Sequence, residues 1–462
     1  MSRRVYRAGE EPQSAATAVL SREECQRIVE RVQALSHADG CFVNLNSFYT
    51  GNMRFAANQL STSGGVEDAQ LAVQSSFGPK HAVVTTNDLS DESLARVVQQ
   101  SEALARLAPD DPEAMPELPP QQYQTVPAWI DATADLSPAE RARAAMTALD
   151  LGRAQGSDIT VAGFITHSAG STALGNKAGM FAYHRNTDVN YTLTVRTSDG
   201  TGSGWAGADN QDWRTIDFAA VSRRAADKAR ASRNPVAIEP GRYTVIMEPQ
   251  AVGDLVQLLA FSLDARSADE GRSAFTKPGG GTKIGEKIVD DRVTLVSDPA
   301  DAQLLGQPFD GQGLPLGRQV WIENGVLRQL VYSRYWAQHQ QQQPTGFPTT
   351  VKLMGGDQTL DQLIAGTDRG VLVTRLWYLR EVDPRTILFT GLTRDGTFLV
   401  ENGRISRAIR NFRFNDSPLF LLANLQALGA AERIAGTEAG GDIVMPAVKA
   451  AEFNFTSLSD AV

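Results

Sequence analysis

The chain has 462 residues, of which 42% are hydrophobic, so it is long enough for about two to four domains with a sizeable buried core. Its 44 basic and 53 acidic residues give a net charge of −9, which excludes a general attraction to nucleic acid. The two cysteines, Cys25 and Cys41, cannot supply a disulfide framework and favour a reducing, cytoplasmic location. The sequence has no apolar run long enough for a signal peptide or a membrane span, so we expect no membrane association.

Residues 1–107 predict an α+β segment. Ser21 and Glu24 form a capping-box pattern that predicts the start of a helix, and apolar residues recur at helical spacing as far as Leu35. A second helix is predicted over Glu92–Leu107. Alternating apolar runs bounded by glycine-rich or polar turns predict four strands between the helices: Cys41–Tyr49, Met53–Leu60, Gln70–Phe77 and His81–Thr86.

Residues 108–127 contain six prolines, which remove backbone donors and restrict the chain to extended conformations. This stretch is predicted to be a connector and the preferred site of limited proteolysis. Residues 128–234 then predict a central α+β segment. Its helices are expected from Pro138 to about Ala154 and from Asp217 to about Ser232, with Asn234-Pro235 ending the second helix. Its strands are predicted at Ile159–His167, Met180–Arg185 and Val189–Thr197.

Residues 235–462 predict a strand-rich, antiparallel, barrel-like domain with a few helices. Asn324-Gly325 and Asn402-Gly403 are typical of type I′ turns in two hairpins. Helices are predicted over Pro249–Asp264 and Pro418–Leu428. Because strands and helices are mixed without regular βαβ alternation, the sequence favours the α+β class with largely antiparallel sheets.

Local motifs for catalysis are weak. The run from Gly170 to Lys177 is similar to a phosphate-binding loop, but Asn176 occupies the place of the required lysine, so a turn at Gly175-Asn176 is the better interpretation. Ser168 lacks the preceding glycine of a nucleophile elbow and is interpreted as structural. No two of the five histidines lie within five residues of each other, although His167 and His184 fall on neighbouring predicted strands.

An ordered series of short motifs in the second half resembles the TldD/PmbA family. The series begins with Glu270–Phe275, Gly279–Lys287 and Val293–Pro299, and it ends with Gly356–Ile364 and Leu399–Ile405. Between them lie Phe309–Pro315 and Ile322–Leu327. The resemblance covers roughly residues 20–455.

The resemblance implies two related kinds of subunit. The TldD type is similar to a zinc metallopeptidase, with His-Glu-x-x-x-His on a helix and a cysteine near the C-terminus as ligands. The TldE (PmbA) type lacks these ligands and pairs with the first. In this chain Pro249, Gln250 and Asp254 stand at the His, Glu and His positions, and no cysteine follows Cys41. Catalytic, cofactor-binding and metal-binding residues are therefore not expected in this chain, and zinc is expected in a TldD-type partner.

The favoured interpretation is a TldE/PmbA-like, non-catalytic subunit of a cytoplasmic metallopeptidase that processes peptides and unfolded segments. Its partner would be a TldD-type catalytic subunit in a heterodimer, and its ligands would be peptides rather than nucleic acid. One alternative is a stand-alone homodimer that binds peptides without hydrolysing them. Another is a metallopeptidase with unusual ligands, chosen from Glu248, Asp254, His167 and His184. The sequence alone leaves open whether the chain is itself an enzyme.

Overall fold

The structure is a computed structural model that describes residues 3–7, 10, 15–436 and 442–459. Seven strands between residues 4 and 210 form one sheet with the order β1-β3-β2-β5-β6-β7, and β4 pairs with β3. These strands are β1 (Arg4–Arg7), β2 (Gly40–Ala56), β3 (Gln59–Phe77), β4 (Lys80–Thr86), β5 (Ile159–Gly175), β6 (Phe181–Thr197) and β7 (Ser203–Asn210). The accompanying helices are α1 (Arg22–Leu35), α2 (Asp91–Leu107), α3 (Asp131–Ala134), α4 (Pro138–Gln155) and α5 (Phe218–Ala231).

The N-terminal sheet has one apolar face and one polar face. Along β2, alternate side chains such as Val43 and Leu45 are fully buried against the helices. The intervening side chains, such as Asn44 and Asn46, are half-buried on the opposite face, as the twofold repeat of a strand requires. Because β2 pairs with β5, the first 107 residues and the central segment contribute to the same sheet.

Two strands that the sequence analysis predicted in pieces are continuous. β2 runs through the predicted break between Tyr49 and Met53, and β6 runs through the predicted break between Arg185 and Val189. β5 extends beyond its predicted end at His167 as far as Gly175, where the predicted turn begins. Gly51 explains the first error, because it is a site of close approach and not a turn. A Cβ atom on Gly51 would lie 2.4 Å from the His167 ring and 2.6 Å from the Arg141 guanidinium.

Eleven strands between residues 241 and 458 form the C-terminal sheet. The pairings β8–β13–β14–β16–β18–β8 close on themselves, which gives the ring of strands that a barrel requires. The strands are β8 (Gly241–Met247), β9 (Leu295–Ser297), β10 (Gln319–Glu323), β11 (Val326–Leu327), β12 (Thr350–Leu353), β13 (Arg369–Asp383), β14 (Leu388–Glu401), β15 (Arg404–Ala408), β16 (Phe412–Asp416), β17 (Leu425–Arg433) and β18 (Asp442–Leu458). The helices are α6 (Pro249–Phe261), α7 (Ala265–Asp269), α8 (Arg334–His339), α9 (Leu360–Ala365) and α10 (Pro418–Ala423).

The α+β class is confirmed, and the C-terminal sheet is mixed, since β12 pairs with β18 and β8 pairs with β13 in parallel. Both predicted type I′ hairpin turns are present, with positive φ at Asn324 and Asn402 and at the glycines that follow. The helix predicted over Pro418–Leu428 is too long, because α10 ends at Ala423 and the chain continues as β17. Among the described residues, no helix is long and apolar enough to cross a membrane.

Candidate functional site

The site predicted from the sequence lies at the start of α6. Glu248 is the N-cap residue and Pro249 occupies the first helical position, where the missing N–H would have no partner in any case. The apolar stripe that follows, including Val252 and Leu255, is fully buried in the largest core cluster. The three motif positions therefore lie in the first two turns of a helix that is fixed in the C-terminal core.

Gln250 and Asp254 are hydrogen-bonded to each other and to two other parts of the chain. The Gln250 Nε2 atom donates to Asp254 Oδ1 at 3.2 Å and to the Gly436 carbonyl at 2.5 Å. The Leu376 N–H of β13 donates to the second oxygen, Asp254 Oδ2, at 3.0 Å. These bonds connect α6 with β13 and with the segment that follows β17.

The residues at the three motif positions do not fit a catalytic zinc ion. Pro249 has no ligand atom, and the Gln250 Nε2 atom donates two hydrogen bonds. Asp254 is buried, and each of its oxygens already accepts a hydrogen bond. A hydrolytic zinc needs about three protein ligands, an open position for water and usually a base.

A buried ion pair lies beside this position. Lys228 of α5 donates to Glu248 at 2.6 Å, and both side chains are largely buried. Burial lowers the pKa of Lys228, and the Glu248 carboxylate partly offsets that effect. Burial also raises the pKa of Glu432, which faces the same pair. The pair links a helix of the N-terminal part to the N-terminus of α6.

Arg433, at the end of β17, gathers three carboxylates from different strands. Its Nε atom donates to Asp209 at 2.7 Å, and its Nη2 atom donates to Asp442 at 2.6 Å and to Asp188 at 3.4 Å. Its Nη1 atom donates to the Leu304 carbonyl at 2.9 Å, so the guanidinium is well supplied with acceptors. Burial and the neighbouring Asp209 carboxylate raise the pKa of Asp188 well above its ordinary value.

These carboxylates form the one group in the described part of the chain whose ligand atoms are close enough for a metal ion. Arg433 already supplies a positive charge there, so the geometry is that of an ion-pair network. The group contains none of the four residues that the sequence analysis named as unusual ligands.

The two candidate histidines lie on opposite faces of the N-terminal sheet. His184 pairs with Thr172 on β5, five residues from His167, and successive side chains of a strand alternate between its faces. Burial, with the nearby Arg141 guanidinium, lowers the pKa of His167 to about 3. Burial lowers the pKa of His184 to about 4. Both rings are therefore neutral near pH 7 but do not converge on one ligand site.

The sequence analysis missed the partners that surround α6. Lys228, Leu376 and Gly436 come from distant parts of the chain, and no local spacing pattern connects them. The available signal was the basic stretch on α5, in which the Lys228 side chain is largely buried.

Family models match most of the chain. The PmbA/TldA metallopeptidase C-terminal domain matches residues 240–457, and the central domain of the same family matches residues 131–233. Among solved structures, TldE from Thermococcus kodakarensis superposes with a TM-score of 0.82 at 18% identity, covering 93% of this chain and 99% of that chain.

Curated relatives agree with the family models. A metalloprotease of Methanothermobacter thermautotrophicus is 25% identical over 57% of this chain and 61% of its own length. The metalloprotease PmbA of Escherichia coli is 22% identical over 83% of this chain and 86% of its own length. The first curated relatives are matched over only 41–61% of their own length. The matched domains, which together cover more than half of the sequence, place the chain in the PmbA/TldD family.

Proposed function

We propose that this chain is a TldE/PmbA-type, non-catalytic subunit that pairs with a TldD-type zinc metallopeptidase chain. The observation that carries this proposal is the hydrogen bonding at the start of α6, which we call the motif helix because it carries the three motif positions. Gln250 and Asp254 serve there as structural links. Pro249, which starts the helix, has no atom that binds metal. In this proposal the zinc and the hydrolytic water belong to the partner, and both chains are cytoplasmic.

The role of this chain is to complete the surface along which an extended peptide is bound. Sheet edges provide unpaired backbone groups, and strand addition is the usual way in which they bind peptides. A homodimer that binds peptides without a TldD-type partner is the alternative. Co-purification of the full chain with a co-expressed chain that carries His-Glu-x-x-x-His distinguishes the two.

The first test is metal content combined with peptide cleavage. The purified chain alone should contain less than stoichiometric zinc by elemental analysis and should not cleave peptides. Addition of the TldD-type chain should give cleavage that a chelator abolishes. One tightly held zinc ion per chain in the isolated protein would overturn the proposal.

The second test restores the motif. The triple variant Pro249→His, Gln250→Glu and Asp254→His supplies two imidazoles and a carboxylate but no third ligand near the C-terminus. We expect at most weak zinc binding and no cleavage by this variant alone. Cleavage that depends on zinc in the variant alone would show that the rest of an active site is present, and the subunit proposal would be wrong.

A further inference from the structure

Two arginines and two tryptophans alternate in a stack where β7 meets the β13–β14 hairpin. The Arg375 guanidinium lies 4.9 Å from the Trp205 ring centre and 5.1 Å from that of Trp377. The Arg394 guanidinium lies 5.0 Å from the Trp377 ring centre. We call these four residues the arginine–tryptophan stack. Cation–π contacts fix the orientation of both guanidinium groups.

The stack carries more positive charge than the chain neutralises. Arg375 and Arg394 are directly opposite each other on paired strands, where like charges are destabilising. Among the residues that the structure describes, Asp395 is the one carboxylate paired with them, at 3.8 Å from Arg375 and 3.7 Å from Arg394. Its other oxygen accepts a hydrogen bond from Ser203 at 2.6 Å.

Neither guanidinium has a hydrogen-bond acceptor within the described part of the chain. Arg433 provides the contrast, because its guanidinium donates to three carboxylates and two carbonyls. The side chains of Arg375 and Arg394 are only 16% and 27% exposed, so bulk water solvates them incompletely. A guanidinium that lies over an aromatic ring keeps N–H donors that can bind a planar anion.

The location connects the stack to a groove and to the motif helix. Trp205 lines a groove of about 460 Å³ on the polar face of the N-terminal sheet, together with Phe164 and Arg54. Leu376, which separates Arg375 from Trp377 in the sequence, is the residue whose N–H binds Asp254. An anion held by the stack would therefore lie on the strand that contacts the degenerate motif.

We propose that Arg375 and Arg394 form a binding site for a carboxylate of a peptide. Guanidinium groups form paired, charge-assisted hydrogen bonds with carboxylates, and the stack presents two such groups side by side. The carboxylate is either the C-terminus of a peptide or an aspartate or glutamate side chain. A net charge of −9 opposes a nucleic acid as the ligand. This inference rests on the proposed peptide-binding function and names a chemical feature of the peptide.

The test is equilibrium binding of fluorescently labelled tetra-alanine to the full chain. One probe has a free C-terminal carboxylate, a second has a C-terminal amide, and a third is the amide with one glutamate in the sequence. We expect the free acid, the glutamate peptide or both to bind about tenfold more tightly than the plain amide, because each gains charge-assisted hydrogen bonds. Tighter binding of the free acid than of the amide would show that the site binds a C-terminal carboxylate. Tighter binding of the glutamate-containing amide than of the plain amide would show that it binds a side-chain carboxylate.

Variants separate binding from folding. Arg375→Gln and Arg394→Gln should each abolish most of the preference for a carboxylate. Arg380→Gln is the matched control, since Arg380 also lies on β13 and over an aromatic ring, 4.2 Å from the Tyr378 ring centre, but its cross-strand partner is Thr390 and not an arginine. Asp395→Asn should tighten carboxylate binding several-fold, because it removes the internal competitor while asparagine tolerates the positive φ of this position.

Three results would overturn the inference. These are equal binding of acid, glutamate and amide probes, an equal effect of the Arg375 and Arg380 variants, or tighter binding of a single-stranded oligonucleotide than of any peptide. Complex formation with the TldD-type chain is measured separately by size-exclusion chromatography. If the complex forms but no carboxylate preference is found, this inference alone is wrong. If the preference is found but no complex forms, the proposed subunit function is wrong.

Discussion

Arg433 and the three carboxylates around it place several charges in a largely buried position between the two sheets. Arg433 neutralises one of the three carboxylates it contacts, so excess negative charge remains in a largely buried place. The raised pKa of Asp188 follows from burial and from this excess negative charge. A carboxyl group whose pKa is raised by folding stabilises the folded state when protonated, and it loses that contribution as the pH rises through the raised pKa.

Asp188→Asn should therefore stabilise the protein more at pH 8 than at pH 4. The variant removes a charge that the folded state disfavours, and because the pKa of Asp188 is raised, its native carboxyl carries less of that charge at pH 4 than at pH 8. Thermal unfolding midpoints at both pH values measure the difference. Asp209→Asn is the control, because it takes away the carboxylate 2.7 Å from Arg433 and should lower the midpoint at pH 8. A larger gain at pH 4 for Asp188→Asn would contradict the assigned pKa direction.

The buried ion pair between Lys228 and Glu248 leads to a second prediction about single residues. Lys228→Met should cost about 3–5 kcal/mol in the free energy of unfolding, because it leaves the Glu248 carboxylate buried without its cation. Adding Glu248→Gln should recover much of this loss, since the remaining polar group is neutral. Urea unfolding followed by tryptophan fluorescence measures both values. A double variant as unstable as the single one would show that the pair does not act as a unit.

Individual helices, strands and turns show which features of the fold can be predicted from local sequence patterns. The motif helix was predicted closely, because Pro249 and the apolar stripe after it are local signals that fix its start and its buried face. The hairpin turns at Asn324 and Asn402 were predicted for the same reason. Gly51 was wrongly interpreted as a turn residue. Glycine is required there because the His167 side chain of another strand occupies the space of a Cβ atom. The residues around α6 could not be predicted, since only the folded chain brings Leu376 and Gly436 to it.

Strand β2 gives a direct test of this interpretation of glycine. Gly51→Ala should destabilise the protein by about 1–3 kcal/mol, because its methyl group would overlap the buried His167 ring and the Arg141 guanidinium. Gly170→Ala on the neighbouring strand β5 is the matched control. A Cβ atom there meets nothing closer than 3.6 Å, so we expect a change within about 1 kcal/mol. Equal effects in thermal unfolding would mean that the close approach at Gly51 relaxes without cost.

At the scale of the whole molecule, the proline-rich connector is a packed strap between the two sheets. Glu117 accepts hydrogen bonds from the Cys41 N–H at 2.6 Å and from the Ala178 N–H at 3.0 Å in the N-terminal part. Tyr123 donates to the Gly313 carbonyl of the C-terminal domain at 2.7 Å. The connector also forms one wall of a cleft of about 760 Å³. These contacts oppose the expectation that this stretch is the first to be cut, because proteolysis needs local opening.

Chymotrypsin should therefore cut the native connector slowly, although the Tyr123–Gln124 bond offers it a cleavage site. Glu117→Gln should speed that cleavage by roughly tenfold, because an amide has one acceptor oxygen for two backbone donors and leaves one of them without its partner. Asp110→Asn, an exposed change in the same connector, should leave the rate unaltered. Mass spectrometry of the fragments locates the cuts. Rapid cleavage within residues 108–127 of the unmodified chain would mean that the strap opens readily, and the open connector predicted from its prolines would then describe the protein in solution.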